Sequence, residues 1–365
     1  MITIPVPIAE RAYEVVIGVV PPDETAGRLA RALGRTSGIA LLVDGGLGRA
    51  SPRVDALAAA LGARLPGVRR LDLPAGEACK TLAAIEATCQ WLAAQGFDRE
   101  ASVVALGGGA ACDHAGFGAG IYLRGIRYAT CPTTLLAMVD ASVGGKTGAD
   151  LDAGKNLVGV FHQPRAVVAD LGFLGTLPAR ERAAGMAEVV KAGLIGDADL
   201  YARLEADADR SAAWPADTLA EIVAAAVRVK VAVVAADERE GDRRAILNFG
   251  HTVGHAIEAA SGYDLLHGEA VALGMLAALA LGARRGTTPP DLLPRTRALL
   301  ARLGLPVDVA ARLTPDVLAR VQVDKKRHAG RMRFVLCPRL GDAVLEDIPL
   351  GALADEILAA VRAAP

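Results

Sequence analysis

The sequence predicts two domains, a Rossmann-like α/β nucleotide-binding domain over residues 1–172 and an all-α metal-binding domain over residues 173–365. In the first part, short apolar runs at residues 39–43 and 101–106 end at glycine-rich turns, and helix-length stretches separate them. Such alternation is typical of a mostly parallel sheet flanked by helices. From Leu177 onward the apolar residues are spaced three and four apart, which predicts helices. The helical segments are residues 179–195, 216–236, 250–261 and 268–285.

Composition and charge restrict the class of protein. Hydrophobic residues make up 52% of the chain and charged residues 22%, as in folded enzymes. A net charge of −1 excludes wholesale nucleic-acid binding, although it allows a locally positive pocket. The sequence has neither a recognisable signal peptide nor an apolar run of bilayer-spanning length, so we expect no membrane partner. The five cysteines form no C-x-x-C pair, which favours a reducing cytoplasm.

Lysine and asparagine are rare in this chain. Of the 40 basic residues only seven are Lys, and Asn occurs only at Asn156 and Asn248. Lys is a compact, mobile point charge, whereas Arg is a planar fork, so lysines retained in an Arg-rich chain suggest sites that need such a charge. Composition alone also allows the alternative that they are surface residues of no functional weight. The lysines are Lys80, Lys146, Lys155, Lys191, Lys230, Lys325 and Lys326.

The glycine turn at residues 107–109 follows a predicted strand and precedes a predicted helix. This context directs backbone N–H groups and a helix N-terminus toward a pyrophosphate. The motif is not G-x-G-x-x-G, because Cys112 occupies the third glycine position, and a tight connection without a ligand explains the turn equally well. Asp44, which ends an earlier strand, could accept hydrogen bonds from a ribose, but it could also be an ordinary turn residue.

Three of the six histidines lie within a short segment, at His251, His255 and His267. The first two are four residues apart and share a helix face. A zinc-protease H-E-x-x-H motif is excluded because Thr252 takes the place of the glutamate. Two imidazoles and a carboxylate, such as Glu188, form a common catalytic metal set with an open position. Capping or core histidines are the alternative; their clustering favours a metal, and the sequence does not identify the third ligand.

Ordered motifs extend from about residue 70 to residue 340. They are G-E-A-C-K at 76–80, G-G-G at 107–109 followed by Asp113, Y-L-R-G at 122–125, V-G-G-K-T-G at 143–148, G-K-N at 154–156, G-M-A-E-V-V-K at 185–191, D-E-R-E at 237–240, L-N-F-G-H at 247–251, H-G-E at 267–269 and D-K-K at 324–326. In order and spacing they resemble the 3-dehydroquinate synthase family of the sugar-phosphate cyclase superfamily. The resemblance implies a dehydroquinate synthase-like fold and a homodimer.

The resemblance also implies roles for individual residues. A zinc or cobalt ion would be held by Glu188, His251 and His267, whereas His255 would face the substrate. NAD would be lined by Asp44, Glu77, Lys80, Gly108, Gly109, Asp113, Thr133, Thr134, Lys155, Thr176, Leu177 and Glu181. The substrate would contact Asp140, Lys146, Asn156, Lys191, Lys230, Arg244, Asn248, His255 and one of Lys325 and Lys326, with Lys326 preferred, and Arg124 would come from the partner subunit. All seven lysines and both asparagines lie in or beside the motifs, which argues against the surface alternative.

The reaction implied by the resemblance is that of a lyase of the shikimate pathway, which leads to chorismate and the aromatic amino acids. The anionic substrate, 3-deoxy-D-arabino-heptulosonate 7-phosphate, would undergo transient oxidation by NAD, phosphate elimination, reduction and intramolecular aldol closure to 3-dehydroquinate. A cyclase acting on sedoheptulose 7-phosphate, glucose 6-phosphate or an amino analogue is an alternative, and so are a metal-dependent alcohol dehydrogenase and a non-catalytic paralogue. Retention of Lys230, Arg244 and Asn248 together with His255 favours a carboxylated substrate, and the amino analogue stays open.

The sequence departs from the family pattern beside the glycine turn. Cys112 stands where the family usually has Gly or Thr, and His114 stands where it has an apolar residue. Gly118 and Gly120 lower the helix propensity of the segment that follows the turn. We expect Cys112 to be a packed, inert thiol.

Overall fold

The computed structural model describes residues 1–8, 11–48, 51–262, 264–322, 327–328 and 330–364. It divides into two compact units. The N-terminal unit comprises Met1–Pro178 and Pro215–Val231, and the C-terminal unit comprises Ala179–Trp214 and Ala232–Pro365. In the part of the chain that the structure describes, no helix is long and apolar enough to cross a membrane.

A seven-stranded sheet forms the centre of the N-terminal unit. Its strands are β1 (Ile2–Val6), β2 (Tyr13–Gly18), β3 (Ile39–Asp44), β4 (Val68–Leu73), β5 (Ser102–Gly107), β6 (Arg127–Pro132) and β9 (Ala166–Asp170). The spatial order is β1-β2-β9-β6-β5-β3-β4, and all neighbours are parallel except β1 and β2. The predicted α/β fold with a mostly parallel sheet is therefore confirmed.

Helices cover both faces of this sheet. Along β3, Leu41 and Val43 pack into one hydrophobic cluster, and Ala40 and Leu42 pack into another. Successive side chains of a strand point to opposite faces, so a strand buried on both sides is apolar throughout. The helices of this unit are α1 (Pro22–Leu33), α2 (Gly45–Gly48), α3 (Pro52–Gly62), α4 (Leu82–Ala94), α5 (Gly109–Ile121) and the part of α8 (Ala216–Ala236) up to Val231.

The order in which the chain adds strands to the sheet reverses between β3 and β5. β4 lies on one side of β3, whereas β5, β6 and β9 extend from its other side. In open parallel sheets, ligands bind outside the carboxyl ends of the strands at such a switch point. Here these ends are Asp44 and Gly107, the residues that the sequence assigned to the nucleotide.

A two-stranded hairpin of β7 (Lys146–Leu151) and β8 (Gly154–Phe161) follows β6 in the chain. It is tied to the loop before α4, because the backbone N–H of Asp150 donates to the carbonyl of Lys80 at 2.7 Å. The hairpin therefore carries Lys146 and Asn156 on a separate small sheet, which the apolar pattern did not predict.

The C-terminal unit is mainly helical. Its central helix, α10 (His267–Arg285), is buried from Gly268 to Gly282. α10 packs closely against α9 (His251–Ala260). Glycine at position 274 allows this approach, because any side chain there would collide with the backbone of Gly250 at the start of α9. The other helices are α6 (Ala179–Gly196), α7 (Ala198–Asp207), α11 (Leu292–Arg302), α12 (Pro315–Gln322) and α13 (Leu350–Ala363).

This unit also holds a small antiparallel sheet of β10 (Arg327–His328), β11 (Arg331–Arg339) and β12 (Asp342–Pro349). The helical character of the unit is as predicted, but the sheet is an addition. The short alternation over residues 331–335 was the signal for it, and the strong helical periodicity of the preceding segments outweighed that signal.

Candidate active site

Glu188 is a buried carboxylate shared by three cationic or metal-binding side chains. It lies on α6 and is 3% exposed. One oxygen, Oε2, forms an ion pair with the ammonium of Lys191, one helical turn further on. The other oxygen, Oε1, lies 3.5 Å from Nε2 of His251 and 3.7 Å from Nε2 of His267. The structure thus brings together four side chains that the sequence selected, from the three helices α6, α9 and α10.

The second nitrogen of each imidazole fixes its tautomer. Nδ1 of His251 lies 3.1 Å from the carbonyl of Phe249, and Nδ1 of His267 lies 3.3 Å from Oε2 of Glu258. A carbonyl and a carboxylate only accept hydrogen bonds, so both Nδ1 atoms carry the proton. This leaves Nε2 of each ring, which faces Glu188, as the nitrogen that would bind a metal.

The distances fit a tetrahedral divalent ion. Ligands about 2.0–2.1 Å from zinc lie about 3.4 Å from one another. The separations of 3.5 and 3.7 Å between Glu188 and the two imidazoles match this value. Ligand atoms of His251, His255 and His267 also lie within 4.8 Å of one another, so an all-imidazole set is geometrically conceivable. We favour the set with Glu188, because its carboxylate supplies negative charge and His255 is exposed.

The electrostatics of the cluster attract a cation. Burial lowers the pKa of His267, but its interactions with the carboxylates of Glu188 and Glu258 outweigh burial and raise the pKa to about 9. Two buried carboxylates thus create a negative field at the imidazoles. A divalent ion would benefit from the same field, and it would displace the proton that the raised pKa keeps on His267.

The H-G-E motif places His267 at the first position of α10. A side chain at Gly268 would collide with the backbone of Ala184 on α6, so only glycine allows this approach. Glu269 accepts a hydrogen bond from the backbone N–H of Leu266 at 2.9 Å and forms a bidentate ion pair with Arg180 at 2.7 Å. The hydrogen bonds from Arg180 are the main reason that the pKa of Glu269 is lowered. His267 is therefore held at a fixed helix start.

Residues 237–248 form a compact loop that presents Arg244 and Asn248. The carboxylate of Asp237 accepts backbone hydrogen bonds from Gly241, Asp242 and Arg244 at 2.8, 2.8 and 3.0 Å. These three bonds lower the pKa of Asp237 to about 2. The guanidinium of Arg244, in a residue that is 1% exposed, donates to the carbonyl of Glu238.

Asn248 is oriented by a carboxylate that sequence reasoning did not select. Its Nδ2 donates to Oε1 of Glu240 at 3.1 Å. Glu240 adopts a left-handed backbone conformation with φ of 60°, which is rare for a residue with a side chain. The D-E-R-E motif contains this glutamate and was the available signal for it.

In the N-terminal unit, the glycine turn lies directly against Asp44. A Cβ at Gly107 would lie 2.8 Å from Cβ of Asp44, so the turn requires glycine. Gly108 is the N-cap of α5, and no side chain caps this helix start. Asp44 accepts hydrogen bonds from the backbone of Gly46 at 2.9 Å and of Gly76 at 3.3 Å. An uncapped helix N-terminus behind a glycine turn fits a pyrophosphate.

Lys80 joins a residue predicted to bind NAD to one predicted to bind the substrate. Its ammonium lies 2.8 Å from Oδ2 of Asp113 and 2.6 Å from Oδ1 of Asn156. Burial lowers the pKa of Lys80, but the charge and hydrogen bond of Asp113 outweigh burial, and the pKa is raised. Asn156 has φ of 55°, a conformation that asparagine tolerates better than most residues. Its backbone N–H donates to Asp150 at 2.7 Å.

Lys230 forms the second tight pair of this unit. Its ammonium lies 2.6 Å from Oδ1 and 2.6 Å from the carbonyl oxygen of Asp140. Asp140 belongs to a π-helical turn, Ala137–Ala141, a local geometry that often marks functional sites. Lys155 lies 3.9 Å from Glu77, and Lys146 is exposed at the start of β7.

The departures from the family pattern have structural explanations. His114 is fully buried, with Nδ1 2.7 Å from the carbonyl of Cys79 and Nε2 2.7 Å from the hydroxyl of Thr88. The carbonyl only accepts, so Nδ1 donates and Nε2 accepts from Thr88. This bridge connects α4, α5 and the turn that leads to Lys80. Burial raises the pKa of the Cys112 thiol well above its ordinary value, as expected for an inert cysteine.

Comparison with known proteins agrees with this geometry. The profile of the 3-dehydroquinate synthase N-terminal domain matches residues 70–184, and that of the C-terminal domain matches residues 185–327. A 3-dehydroquinate synthase of Caulobacter vibrioides is 43% identical over 360 residues, which cover 96% of each chain. This chain belongs to the 3-dehydroquinate synthase family.

Solved structures extend the comparison within the sugar-phosphate cyclases. A 2-epi-5-epi-valiolone synthase from Streptomyces hygroscopicus with NAD+ and Zn2+ bound is 30% identical, with a TM-score of 0.86 and 97% of each chain covered. A 2-deoxy-scyllo-inosose synthase complexed with carbaglucose-6-phosphate, NAD+ and Co2+ is 26% identical, also with a TM-score of 0.86, and 98% of this chain and 99% of that chain are covered. The dehydroquinate synthase-like fold predicted from the sequence is thereby confirmed.

The remaining predicted residues of this family member are placed as follows. The backbone of Thr133 donates to Gly107 at 2.9 Å, and the hydroxyl of Thr134 accepts from Ala137 at 3.2 Å. Thr176 is exposed and donates its hydroxyl to Phe173, Leu177 is half-buried, and burial raises the pKa of Glu181 at the start of α6. Lys325 and Lys326 lie outside the described residues.

Arg124 lies in a strained segment of the N-terminal unit. It is exposed and has φ of 68°, and the preceding Leu123 has φ of 50°. With Arg11 and Arg165 it lines a cavity of about 370 Å³. This positively charged surface is compatible with contact to an anion.

Proposed function

We propose that this protein is a NAD- and divalent-metal-dependent lyase that converts 3-deoxy-D-arabino-heptulosonate 7-phosphate into 3-dehydroquinate and phosphate in the shikimate pathway. The observation that carries the proposal is the convergence of Glu188 Oε1 with Nε2 of His251 and His267 at 3.5 and 3.7 Å. The 43% identical Caulobacter vibrioides relative, named as a 3-dehydroquinate synthase, supports the reaction. We assign NAD to residues 1–172 and the metal, with part of the substrate, to residues 173–365.

Glu188, His251 and His267 would hold a zinc or cobalt ion. When bound, the ion would lower the pKa of a substrate hydroxyl and favour its oxidation. Lys191 engages Oε2 of Glu188, which leaves Oε1 directed at the imidazoles and favours monodentate binding. Because each Nδ1 is bonded to an acceptor, Nε2 of each ring is directed inward and would be the nitrogen that binds the ion.

The N-terminal unit would bind NAD through the switch point of its sheet. When bound, NAD would accept a hydride and later return it, so it would act catalytically. Backbone N–H groups of Gly108 and Gly109 would contact the pyrophosphate, and the Asp44 carboxylate would face the ribose. The other proposed contacts are Glu77, Lys80, Asp113, Thr133, Thr134, Lys155, Thr176, Leu177 and Glu181.

The substrate carries a carboxylate and a phosphate, so its site needs several fixed cations. Arg244 is buried and anchored by its backbone and by Glu238, and a planar guanidinium suits a carboxylate. Lys230, held by Asp140, supplies a compact charge that can shift toward an anionic oxygen. We assign Lys146, Asn156, Lys191, Asn248, His255 and Lys326 to the same substrate.

The protein would act as a homodimer in which Arg124 contributes to the neighbouring active site. Three large apolar side chains close to it in sequence or structure are exposed, namely Ile121, Leu123 and Phe161, at 42%, 39% and 42%. Helix α5 packs closely against β8 here, and glycine at position 120 allows this because a Cβ there would lie only 2.7 Å from Val160. Exposed apolar groups beside an arginine suit a protein interface. Five free cysteines suit a reducing cytoplasm.

A substrate panel tests the reaction. Phosphate release is measured with the heptulosonate phosphate, its amino analogue, sedoheptulose 7-phosphate and glucose 6-phosphate, each with NAD and zinc. We expect efficient phosphate release only from 3-deoxy-D-arabino-heptulosonate 7-phosphate. Preferred turnover of sedoheptulose 7-phosphate or glucose 6-phosphate would contradict the proposal, and preference for the amino analogue would assign the protein to secondary metabolism.

A further inference from the structure

Glu258 is a buried carboxylate that the proposed metal and substrate sets do not include. It lies on α9, seven residues after His251, and is 3% exposed. Burying a charged carboxylate is unfavourable unless a polar partner compensates the lost hydration. Its Oε2 lies 3.3 Å from Nδ1 of His267, across the interface between α9 and α10. The two helices lie close together here, as shown by the 3.0 Å that would separate a Cβ at Gly254 from the carbonyl of Ala270.

We propose that Glu258 is a positioning residue that holds the imidazole of His267 ready for the metal. The proposal rests on the metal site described above. The carboxylate accepts a hydrogen bond from Nδ1–H, so Nε2 points at Glu188 and is the nitrogen that would bind the metal. Rotation of the ring by half a turn would exchange Nε2 with Cε1 and Nδ1 with Cδ2, so that C–H groups would face the metal and Glu258.

The two histidine ligands differ in how much support they need. Both histidines begin their helices, but the His251 side chain is 10% exposed, whereas the His267 side chain is 28% exposed. Packing therefore restricts the His267 ring less than the His251 ring. A neutral carbonyl suffices for His251, but His267 is held by a charged acceptor, which forms the stronger hydrogen bond.

The charge of Glu258 also offsets the effect of the α10 dipole on His267. The positive end of the α10 dipole lies at His267 and makes an imidazole there a weaker electron donor. A carboxylate on the distal nitrogen increases the basicity of the ligating nitrogen. Glu258 thus supplies both the orientation and the electron density that this ligand needs.

A purely structural role would be to hold α9 against α10, and it makes a different prediction. Loss of the carboxylate would then lower stability equally in the metal-free and metal-loaded protein, with no change in metal affinity. A positioning role requires that metal affinity falls in folded protein. Metal affinity and the spectrum of bound cobalt are therefore the decisive readouts.

The test compares the full-length wild type with E258A, E258Q and the control S261A. The Ser261 hydroxyl bonds the backbone carbonyl of Glu258 and not its carboxylate, so S261A changes the same helix end but keeps the support of His267. Zinc affinity of the metal-free proteins is measured by competition with a chromophoric chelator, and cobalt binding by visible absorption. Circular dichroism establishes folding.

We expect E258A to bind zinc about 10–100-fold more weakly and to show an altered cobalt spectrum. E258Q, which keeps an acceptor oxygen without the charge, should lie between E258A and wild type, and S261A should stay within about twofold of wild type. Folded E258A with wild-type affinity and spectrum would overturn the proposal. If E258A does not fold, wild-type affinity in E258Q would overturn it. Failure of the wild type to bind zinc would instead reject the metal site itself.

Discussion

The two units of this protein place carboxylates beside cations in different ways. In the N-terminal unit, Lys80 and Lys230 each face an aspartate, at 2.8 and 2.6 Å. In the C-terminal unit, the Glu188 carboxylate faces the ammonium of Lys191 through one oxygen and two imidazoles through the other. The imidazoles carry their protons on the far nitrogens.

This difference separates handling of an anion from binding of a cation. A lysine–aspartate pair balances its own charge, and its ammonium is a mobile donor that can turn toward an entering anion. Two imidazoles whose Nε2 atoms converge on one carboxylate oxygen form a ligand set that suits a metal ion. The comparison predicts that substitutions in the two regions will affect different measurements.

The largest effect is expected from removing a metal ligand. E188Q and H251A should each lower turnover by at least about 1,000-fold and abolish stoichiometric zinc binding, because the ion supplies several kcal/mol of stabilisation during reaction. Metal analysis and phosphate release check this. E86Q, an exposed glutamate on α4, serves as the matched control. Full activity in a zinc-free E188Q protein would contradict the proposed role of Glu188 as a metal ligand.

A smaller effect, on substrate use alone, is expected from K230M. Losing one partner of a desolvated charge pair, here the proposed contact of Lys230 with the substrate anion, costs about 2–5 kcal/mol, so kcat/KM should fall about 30-fold or more. Zinc content should equal that of the wild type. The control R64M breaks a surface pair of the same 2.6 Å length between Arg64 and Asp23 and should cost less than about 1 kcal/mol. A loss of zinc in K230M would contradict the separation of roles.

An effect on stability is expected from H114L beside the cofactor turn. Leucine would leave the carbonyl of Cys79 and the hydroxyl of Thr88 without their imidazole, at a cost of about 1–3 kcal/mol. Denaturant unfolding measures this cost, and NAD titration should show weaker binding because the bridge supports the turn before Lys80. T88V combined with H114L should destabilise by less than the sum of the single variants. Unchanged stability in H114L would show that the bridge is dispensable.

The smallest effect is a pH dependence of the loop that carries Arg244. The pKa of Asp237 is lowered from 3.8 to about 2, so its stabilising contribution is complete above pH 3.8 and disappears as the pH falls through about 2. Wild-type unfolding free energy should therefore decline more steeply than that of D237N between about pH 4 and 2. Parallel pH profiles of the two proteins would contradict this role.

The sequence predicted most of the chemistry but less of its support. The clustering of His251 and His267 and the ordered motifs indicated the metal set that is proposed here, and apolar alternation predicted the sheet. Glu258 was missed, although it shares a helix face with His251, because a sequence pattern shows which residues share a face and not which helix that face meets. A charged residue is expected at the surface unless its partner is known.

His114 was noticed only as a departure, and its partners illustrate the same limit. Cys79 offers a backbone carbonyl, and Thr88 lies 26 residues away on another helix. No local pattern predicts that these groups meet around one ring. The hairpin of β7 and β8 was missed for a related reason, since its pairing with the segment after Lys80 is a tertiary contact.

Simultaneous measurement of phosphate and NADH tests the central claim most directly. The protein reconstituted with zinc is given 3-deoxy-D-arabino-heptulosonate 7-phosphate and an amount of NAD far below that of the substrate. We predict that many phosphates are released per NAD without accumulation of NADH, and that a chelator stops the release. NADH accumulating in step with product, or release that persists after the metal is removed, would contradict the account.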